Sequence, residues 1–545
     1  MRFALVVSGI LVLSAVGLSA DIYVPDDYAS IQEAIDAASN DDTIIVRPGT
    51  YFENLTVGKP VTIISLDGPE TTIIDGGANG NRVFVVPANT AGLVTLEGFT
   101  ITNGLTPHAG AGLSIDSFCE AQIIGNVISG NRSTSGDGGA IYCAQNFPVV
   151  AGNVITDNSA RNGGAIYLLQ EGFGENPVIA SNHIAGNTAS DSGGGIFSDY
   201  SSPVITDNVF YDNTTVGGGG GIYQKGNNAL PITIKNNVII NNRVTGHLVN
   251  GGGGVAIEGS HSITFTNNII VFNSSDNASS GRGGAIFWYR PSSALISNCT
   301  LAYNSAGVFG GGISILADAP FSLSFKNSII YYNSAISGSQ LYVDGQCTVN
   351  ASYSDSEGGN NEPFVVASTN ATINWGAGMI DVDPVFADSA ADDFHLTWNS
   401  PCRDSGDNSV VTELYDFEGD PRIAFGAVDM GADEYYYHLY HNGDVVPGSP
   451  IDLKIVGYPG AEVRLALNDT ILDPPITTTH GDLYILWPTI WSGYLGKAPS
   501  TGVLTLSTTV PPGWTSGEHY YLQALVGQWG NPSTMFTNLE ALSVK

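Results

Sequence analysis

The chain of 545 residues has few cysteines and few basic side chains, and each shortage argues against a class of protein. Five cysteines are an odd and low number, so disulfide bonds are not the basis of the fold. No Cys-x-x-Cys or Cys/His spacing indicates a zinc module. Lys and Arg number 18 against 51 Asp and Glu, which gives a net charge of −33. Nucleic acid and anionic membranes bind to dense basic patches, so neither is an expected partner.

Long apolar runs are also scarce. The one at the N-terminus, residues 4–16, is short for a membrane span, follows Arg2 and precedes the small residues Ser19 and Ala20. This pattern is typical of a signal peptide, and no second such run follows it. We expect cleavage after residue 20 and a soluble mature chain that is secreted or held at the cell surface, with no transmembrane span.

What the sequence does have is a repeat of 26 to 31 residues that dominates residues 92–345. Successive units read IIGNVISGN (123–131), VVAGNVITDN (149–158), VITDNVFYDN (204–213) and TIKNNVIINN (233–242). Each returns through a glycine cluster into a second apolar run, as in NGGAIY (162–167) and GRGGAIF (281–287). The apolar runs are short, alternating and rich in Val, Ile, Phe and Tyr, which predicts strands.

Glycine permits sharp turns between these strands, and asparagine tolerates left-handed turns and can hydrogen-bond to its counterpart in the next coil. The repeat therefore predicts an all-β parallel β-helix of about nine regular coils. Propeller blades and leucine-rich repeats have other periods, and the calcium-binding nonapeptide is absent. Cys119 and Cys143 are close to one repeat apart and Cys347 and Cys402 are candidates to pair, whereas Cys299 is expected as a buried thiol.

A short helix is predicted to cap the first coil. Ser30 and Glu33 have the spacing of a capping box, and Ile31, Ala34, Ile35 and Ala38 form an apolar stripe.

The segment VPDDYASIQEAIDAASNDDTIIVRPGTYFENL (24–55) resembles the opening of the pectin-lyase-like right-handed parallel β-helix superfamily. DVDPVFADSAADDFHL (381–396), SPCRDSGDN (400–408) and GDPRIAFGAVDMGADEY (419–435) resemble the close of a bacterial exported subgroup. That subgroup is itself similar to the repeats of polymorphic outer-membrane proteins. The resemblance implies a right-handed β-helix over residues 21–435.

The superfamily includes polysaccharide lyases, hydrolases, esterases and epimerases, and also members without known activity, so the fold does not fix the function. The motifs of pectinesterases, polygalacturonases, pectate lyases and alginate epimerases are absent from this chain. A lyase acting on a uronic acid would need a base and a group that neutralises the carboxylate. The scarce basic residues are therefore informative, and most of them fall in neighbouring coils.

A groove across these coils is the predicted site. Its candidate catalytic residues are Lys225, Glu258 and Arg290. Its candidate substrate-binding residues are Tyr223, Arg282, Trp288 and Tyr289, because aromatic faces beside charges are a common way to hold sugars. The alternative is that these are solvated strand ends with an aromatic edge. Asp381 and Asp383 have the oxygen ligands that Ca²⁺ prefers, or they are ordinary turn residues.

After residue 435 the repeat stops, and IDLKIVG (451–457), EVRLALN (462–468) and later runs predict a small β-sandwich-like module over residues 436–545. Two functions remain open. The first is a monomeric, exported protein that binds or acts on an extracellular polysaccharide or cell-surface glycan, as a lyase if it is catalytic. The second is a non-enzymatic, adhesin-like structural protein of the cell surface.

Overall fold

The structure is a computed structural model. It describes residues 19–170, 176–226, 230–246, 251–259, 262–290, 292–361, 364–365, 370–424, 426–436, 439–442, 445–456, 462–468, 476–478, 481–483, 491–497, 503–512, 519–526, 535–537 and 540–543. The predicted signal peptide lies outside these ranges except for Ser19 and Ala20, and its cleavage stays a prediction. The chain forms two compact units. Unit 1 is Met1–Ser190 with Gly195–Ser201, and unit 2 is Asp191–Gly194 with Ser202–Lys545.

Unit 1 is a parallel β-helix in which equivalent strands of successive coils stack in register as ladders. Ladder 1 contains Asp21–Val24, Thr43–Val46, Thr62–Ser65, Leu93–Glu97, Glu120–Ile124, Val149–Ala151 and Val178–Ala180. Ladder 2 contains Gly49–Tyr51, Thr72–Asp75, Thr100–Thr102, Val127–Ser129, Val154–Thr156 and His183–Ala185. Ladder 3 contains Leu105–Thr106, Arg132–Ser133 and Ser159–Asn162, and Thr188–Ser192 follows at the unit boundary. Ladder 4 contains Leu55–Thr56, Phe84–Val86, Leu113–Ile115, Ile141–Ala144, Ile166–Leu169 and Ile196–Asp199.

The predicted cap helix is confirmed as Ile31–Ala37. The Ser30 side chain accepts a hydrogen bond from the Glu33 N–H, and Ile31, Ala34 and Ile35 are buried. A second cap was not predicted. The Glu53 carboxylate accepts the N–H groups of Ile31 and Gln32, each at 2.9 Å, and so satisfies two donors that the helix leaves open. The Glu of the Pro-Gly-Thr-Tyr-x-Glu segment therefore fixes the helix to the coil below it.

Buried asparagines stack from coil to coil, as the repeat predicts. In unit 1 the Asn158 amide donates to the carbonyls of Ile128 and Thr156, both at 2.9 Å, and to Asn187 at 3.0 Å. The left-handed conformation belongs to the residue before the stacked asparagine, here Asp157 with a φ of +57°. Asn103 likewise has a φ of +58°, so it corresponds to Asp157 and not to a stacked asparagine. The stack begins in the next coil at Asn131, which accepts the Gly104 N–H.

Unit 2 repeats the same four ladders. Ladder 1 contains Val204–Thr206, Ile232–Lys235, Ser262–Thr266, Ser293–Ser297 and Thr372–Trp375. Ladder 2 contains Val209–Tyr211, Val238–Ile240, Ile269–Val271, Thr300–Ala302, Ile329–Tyr331 and Asp355–Ser356. Ladder 3 contains Thr214–Thr215, Arg243–Val244, Ser274–Ser275 and Ser305–Ala306. Ladder 4 contains Ile222–Lys225, Val255–Glu258, Ile286–Tyr289 and Phe364–Val365, and the long strands Ile313–Lys326 and Leu341–Ser352 serve both ladders 4 and 1.

The glycine clusters turn the chain into ladder 4. Gly283 has a φ of +58°, and a Cβ built on it would lie 2.3 Å from the Ile286 carbonyl oxygen. Any other residue would meet both the strained backbone and this close contact.

The closing segment (residues 381–435) folds back on unit 2. It contains the antiparallel pair Phe386–Asp388 and Asp393–Leu396 and the short 3₁₀ turns Ser389–Ala391 and Asn408–Val410, and a further 3₁₀ turn, Gly359–Asn361, precedes it. The buried Arg422 guanidinium donates to the carbonyls of Asp429, Gly431 and Ala432 at 3.1, 2.5 and 2.9 Å. These bonds hold the end of the segment in one conformation.

The C-terminal strands form antiparallel sheets, as the predicted β-sandwich-like module requires. One sheet contains Leu439–Asn442, Pro450–Val456 and Val503–Thr509. A second contains Trp491–Lys497, Glu462–Asn468, His519–Val526, Met535–Phe536 and Glu540–Ser543, and Ile476–Thr478 pairs with Gly481–Leu483. Leu453 and Leu465, from the two larger sheets, belong to one apolar cluster with Leu396 and Tyr435 of the closing segment. The boundary at residue 436 stays a prediction.

All five cysteines are free and buried, so the suggested pairs Cys119–Cys143 and Cys347–Cys402 do not form. Cys299 is the buried thiol that the sequence predicts. It occupies an asparagine position of the stack, where its sulfur accepts the Asn268 N–H at 3.4 Å.

Candidate functional site

The structure places most of the predicted groove residues on one face of ladder 4 in unit 2. Lys225, Glu258 and Tyr289 are direct partners on three consecutive strands, Lys225 opposite Glu258 and Glu258 opposite Tyr289. Neighbouring strands in a sheet are about 4.8 Å apart, so the three side chains follow one another along the ladder. All three are partly exposed. Because side chains alternate across a strand, the residue that precedes each of them on its own strand, such as Ile257 before Glu258, points into the core.

Hydrogen bonds and ion pairs link these side chains to their neighbours. The buried Tyr223 hydroxyl donates to the Glu258 carboxylate and thereby positions it. Arg290 donates through Nε to Asp318 at 2.8 Å, and this hydrogen bond raises the pKa of Arg290 above its usual value. The Arg290 guanidinium also lies 4.7 Å from the centroid of the Tyr289 ring, within the range of a cation–π contact.

Lys225 differs from Arg290, because its ammonium group has no salt bridge to any carboxylate in the described part of the chain. The row therefore presents one unpaired cation beside a carboxylate, followed by an aromatic ring and a paired cation. Hydrogen-bond donors, acceptors and an apolar face are therefore present on neighbouring strands of one ladder. This combination suits a polar, ring-shaped ligand.

Trp288 is placed differently from the sequence expectation. Its side chain is 0% exposed and packs between Phe265 and Phe321, with ring centroids 6.0 Å away in each case. Trp288 has the same strand parity as the inward-facing Ile286, so its ring is not available to a ligand at the surface. The expectation that it stacks on a substrate is corrected.

Arg282 also lies away from the row, before the opposite end of the same strand. Its guanidinium is 4.3 Å from the Phe309 ring centroid and 5.4 Å from that of Tyr342. It does not join Lys225 and Glu258 at the strand ends.

The two predicted metal ligands make the contacts of turn residues. Asp381 accepts the Gly358 N–H at 3.0 Å, and Asp383 accepts the Val385 N–H at 2.9 Å. Neither belongs to the set of three ligand side chains that the described residues bring within metal-binding distance of one another. That set is His395, Glu418 and Asp433, which the sequence did not indicate because its members lie in three separate stretches of the closing segment.

Comparison with a family model agrees with the architecture. Residues 83–270 match the family model described as a right handed beta helix region, so the chain contains a right-handed parallel β-helix. Among solved structures, the chain is similar to "The complex structure of XylC with xylose", with 10% identity, a TM-score of 0.42, and coverage of 92% of this chain and 99% of that one. No curated protein matches the chain.

The similarity to polymorphic outer-membrane proteins stays a prediction. No helix among the described residues is long and apolar enough to cross a membrane.

Proposed function

We propose that this protein binds an extracellular polysaccharide along ladder 4 of unit 2, with Lys225, Glu258, Tyr289 and Arg290 as its contacts. The observation that carries the proposal is the in-register row of Lys225, Glu258 and Tyr289 on three consecutive strands. Because the strands repeat at a constant spacing, such a row offers regularly spaced contacts to a ligand that is itself a repeating chain.

The chemistry of the row favours a sugar. Lys225 and Glu258 supply a donor and an acceptor for hydroxyl groups, and the Tyr289 ring supplies an apolar face for sugar C–H groups. The row is nearly balanced in charge, since Lys225 lies beside Glu258 and Arg290 is paired with Asp318. A chain with a net charge of −33 repels a polyanion, so a neutral polysaccharide is the favoured ligand.

Elimination is the reaction that this row would support on a uronic acid. Lys225 would take the proton at C5 and Arg290 would neutralise the carboxylate, while the electron pair forms the C4=C5 double bond and the C4–O bond breaks, with the departing oxygen taking a proton from water. That role requires Arg290 to leave Asp318, its partner in the structure.

Export rests on the N-terminal sequence. Arg2, the apolar run of residues 4–16 and the small residues before Asp21 support the proposal that the mature protein works outside the cytoplasm, secreted or at the cell surface. We expect it to act as a monomer.

The alternative is a non-enzymatic structural protein of the cell surface. The observation that favours it is the pairing of Tyr223 with Glu258 and of Arg290 with Asp318, because such pairs are also what a solvated scaffold would form.

The test is affinity electrophoresis of the mature protein (residues 21–545) against neutral polysaccharides (galactan, mannan and hydroxyethylcellulose) and uronic-acid polysaccharides (polygalacturonate and alginate). Tyr289→Ala and Arg290→Ala should each weaken binding about tenfold. The matched control is Arg243→Ala. Arg243 is paired with Asp276, and its side chain is 56% exposed against 58% for Arg290, but it lies in ladder 3.

Retention of a neutral glycan that the groove variants lose and the control keeps supports the proposal. No retention by any polysaccharide, or equal losses for Arg243→Ala and Arg290→Ala, contradicts it and favours the structural role. Absorbance at 232 nm from unsaturated ends would show a lyase, and Lys225→Ala should then abolish it.

A further inference from the structure

Three stretches of the closing segment bring an imidazole and two carboxylates together. His395 is on the strand Asp393–Leu396, Glu418 is in the turn that follows Asp416, and Asp433 is in the final Gly-Ala-Asp-Glu-Tyr run. One ligand atom from each residue lies within 4.8 Å of the others. His395 Nε2 is 2.8 Å from Glu418 Oε2. The group is outside the proposed glycan-binding row and does not depend on it.

The second nitrogen of His395 is held in the way that metal-binding histidines require. Nδ1 lies 2.5 Å from Asp393 Oδ1, and the same oxygen accepts the His395 backbone N–H at 3.2 Å. A carboxylate behind Nδ1 fixes the proton on that nitrogen, orients the ring and leaves Nε2 as the coordinating atom.

The backbone around the other two residues is fixed by one buried carboxylate, Asp416. Its Oδ1 accepts the N–H groups of Glu418 and Gly419 at 2.9 and 3.0 Å, and its Oδ2 accepts the Glu434 N–H at 3.0 Å. Asp433 in turn accepts the Leu396 N–H at 2.8 Å, which ties it to the strand that carries His395. The three side chains are therefore positioned before any ligand binds, which lowers the cost of binding.

The local charge also favours the binding of a cation. Asp393, Glu418 and Asp433 place three carboxylates around a single imidazole, and Asp433 is buried. Lys454 also interacts with Asp393. A divalent ion bound by His395, Glu418 and Asp433 would place positive charge among these carboxylates.

We infer that His395, Glu418 and Asp433 bind a divalent transition-metal ion, with Asp393 as the hydrogen-bond partner that orients His395. An imidazole with two carboxylates is a ligand set that suits Zn²⁺, whereas Ca²⁺ and Mg²⁺ prefer oxygen ligands alone. Three protein ligands leave a fourth tetrahedral position for water. Because the three ligands come from three separate stretches of the closing segment, the bound ion would cross-link these stretches and stabilise the segment's fold.

The experiment is isothermal titration of ZnCl₂, CaCl₂ and MgCl₂ into EDTA-treated mature protein, with thermal unfolding measured alongside. We expect one Zn²⁺ per chain and a higher unfolding temperature with Zn²⁺, and at least about tenfold weaker binding of Ca²⁺ and Mg²⁺. A second readout is Co²⁺, which gives strong visible absorption when it is bound tetrahedrally.

His395→Ala and the exposed Glu418→Gln should each remove the bound Zn²⁺ and the Co²⁺ absorption. His183→Ala, which removes an exposed histidine from ladder 2 of unit 1, is the matched control and should bind as the parent does. Glu418→Gln keeps the size of the side chain and lies at the surface, so its folding can be checked independently by circular dichroism. Absence of Zn²⁺ binding, or equal binding by the parent and a folded Glu418→Gln variant, overturns the inference. Neither result would bear on glycan binding by ladder 4.

Discussion

The outer faces of ladder 2 differ between the two units, although the repeat that builds them is the same. In unit 1 the outward positions are mostly polar or exposed, including Thr100, Ser129 and His183, and Val154 is 39% exposed. In unit 2 Tyr211 is still 42% exposed, but most of the equivalent positions in the following strands are buried, including Ile240, Ile269 and Val271, of which Val271 is 0% exposed. The inward positions are Ile, Leu or Phe in both units.

The closing segment accounts for the difference, since it lies on ladder 2 of unit 2. Phe394 and Ala432 share an apolar cluster with Ile240, Val271 and Ala302. Polar contacts fix the position, because the Ala432 N–H donates to Thr300 Oγ1 at 3.0 Å and the Gly431 N–H donates to the Asn327 carbonyl at 2.9 Å. Apolar residues at the outward positions of ladder 2 therefore accompany a face on which the closing segment packs, whereas polar residues accompany an exposed face.

This difference also restricts the search for a ligand site. Ladder 2 of unit 2 is occupied by the closing segment, whereas ladder 4 of the same unit keeps a partly exposed row at Lys225, Glu258 and Tyr289. Ladder 2 of unit 1 is a competing open face, and its outward positions include Thr100, Ser129, Val154 and His183.

The largest expected effect comes from a charge on the covered face. Val271→Asp should destabilise the protein by about 3 to 5 kcal/mol, because it buries an unpaired carboxylate against the closing segment. Val154→Asp, at the outward position of the corresponding strand in unit 1, should change the free energy of unfolding by at most about 0.5 kcal/mol. Urea denaturation followed by tryptophan fluorescence measures both. Similar shifts for the two variants would contradict the comparison.

The asparagine stack should show no such difference. Asn273→Ala in unit 2 and Asn158→Ala in unit 1 each remove three donated hydrogen bonds of a buried amide. We expect a loss of about 2 to 3 kcal/mol in each case, because backbone carbonyls are left without partners. A difference of more than about 2 kcal/mol between them in the same denaturation experiment would mean that the stack is not equivalent in the two units.

The covered face should also make stability depend on pH. Asp355 lies on it, and burial raises the pKa of this carboxyl to about 7, with Asp381 and Asp383 adding to the effect and the Val382 N–H and Cys402 opposing it. The folded protein therefore holds a proton that the unfolded chain releases near pH 4, so this contribution to stability is lost as the pH rises from about 4 to about 7.

Asp355→Asn should remove that dependence and stabilise the protein relative to the parent at pH 8, by about 2 to 4 kcal/mol. Urea midpoints measured from pH 4.5 to pH 8 test this. Parallel pH profiles for the parent and the variant would be incompatible with a buried, protonated Asp355.

The smallest effect is expected at the edge of the closing segment, where Lys235 of ladder 1 pairs with Glu413. Both side chains are partly exposed, so Glu413→Gln should cost less than about 1 kcal/mol. Asp276→Asn, which removes the partner of Arg243 away from the closing segment, serves as the control. A markedly larger effect of Glu413→Gln would show that this ion pair, rather than the apolar cluster, holds the segment.

The sequence was sufficient to predict the repeat, the cap helix and the C-terminal sheets, because each depends on local patterns such as alternation, glycine clusters and the Ser30 cap. It was not sufficient to predict the docking of the closing segment, the Glu53 cap or the group of His395, Glu418 and Asp433, all of which depend on contacts between distant residues. The inward placement of Trp288 could have been predicted, since Trp288 is two residues after the inward-facing Ile286 and therefore points to the same side of the strand. The neighbouring aromatic residues instead suggested that Trp288 lies at the surface.

Hydrogen–deuterium exchange with the polysaccharide that binds tightest in the panel tests the proposed binding face most directly. We expect slower exchange in residues 222–225, 255–258 and 286–290 of ladder 4, and unchanged exchange in residues 127–129 and 154–156 of the open ladder 2 in unit 1. Protection of those ladder 2 residues with no change in ladder 4 would contradict the proposed binding face.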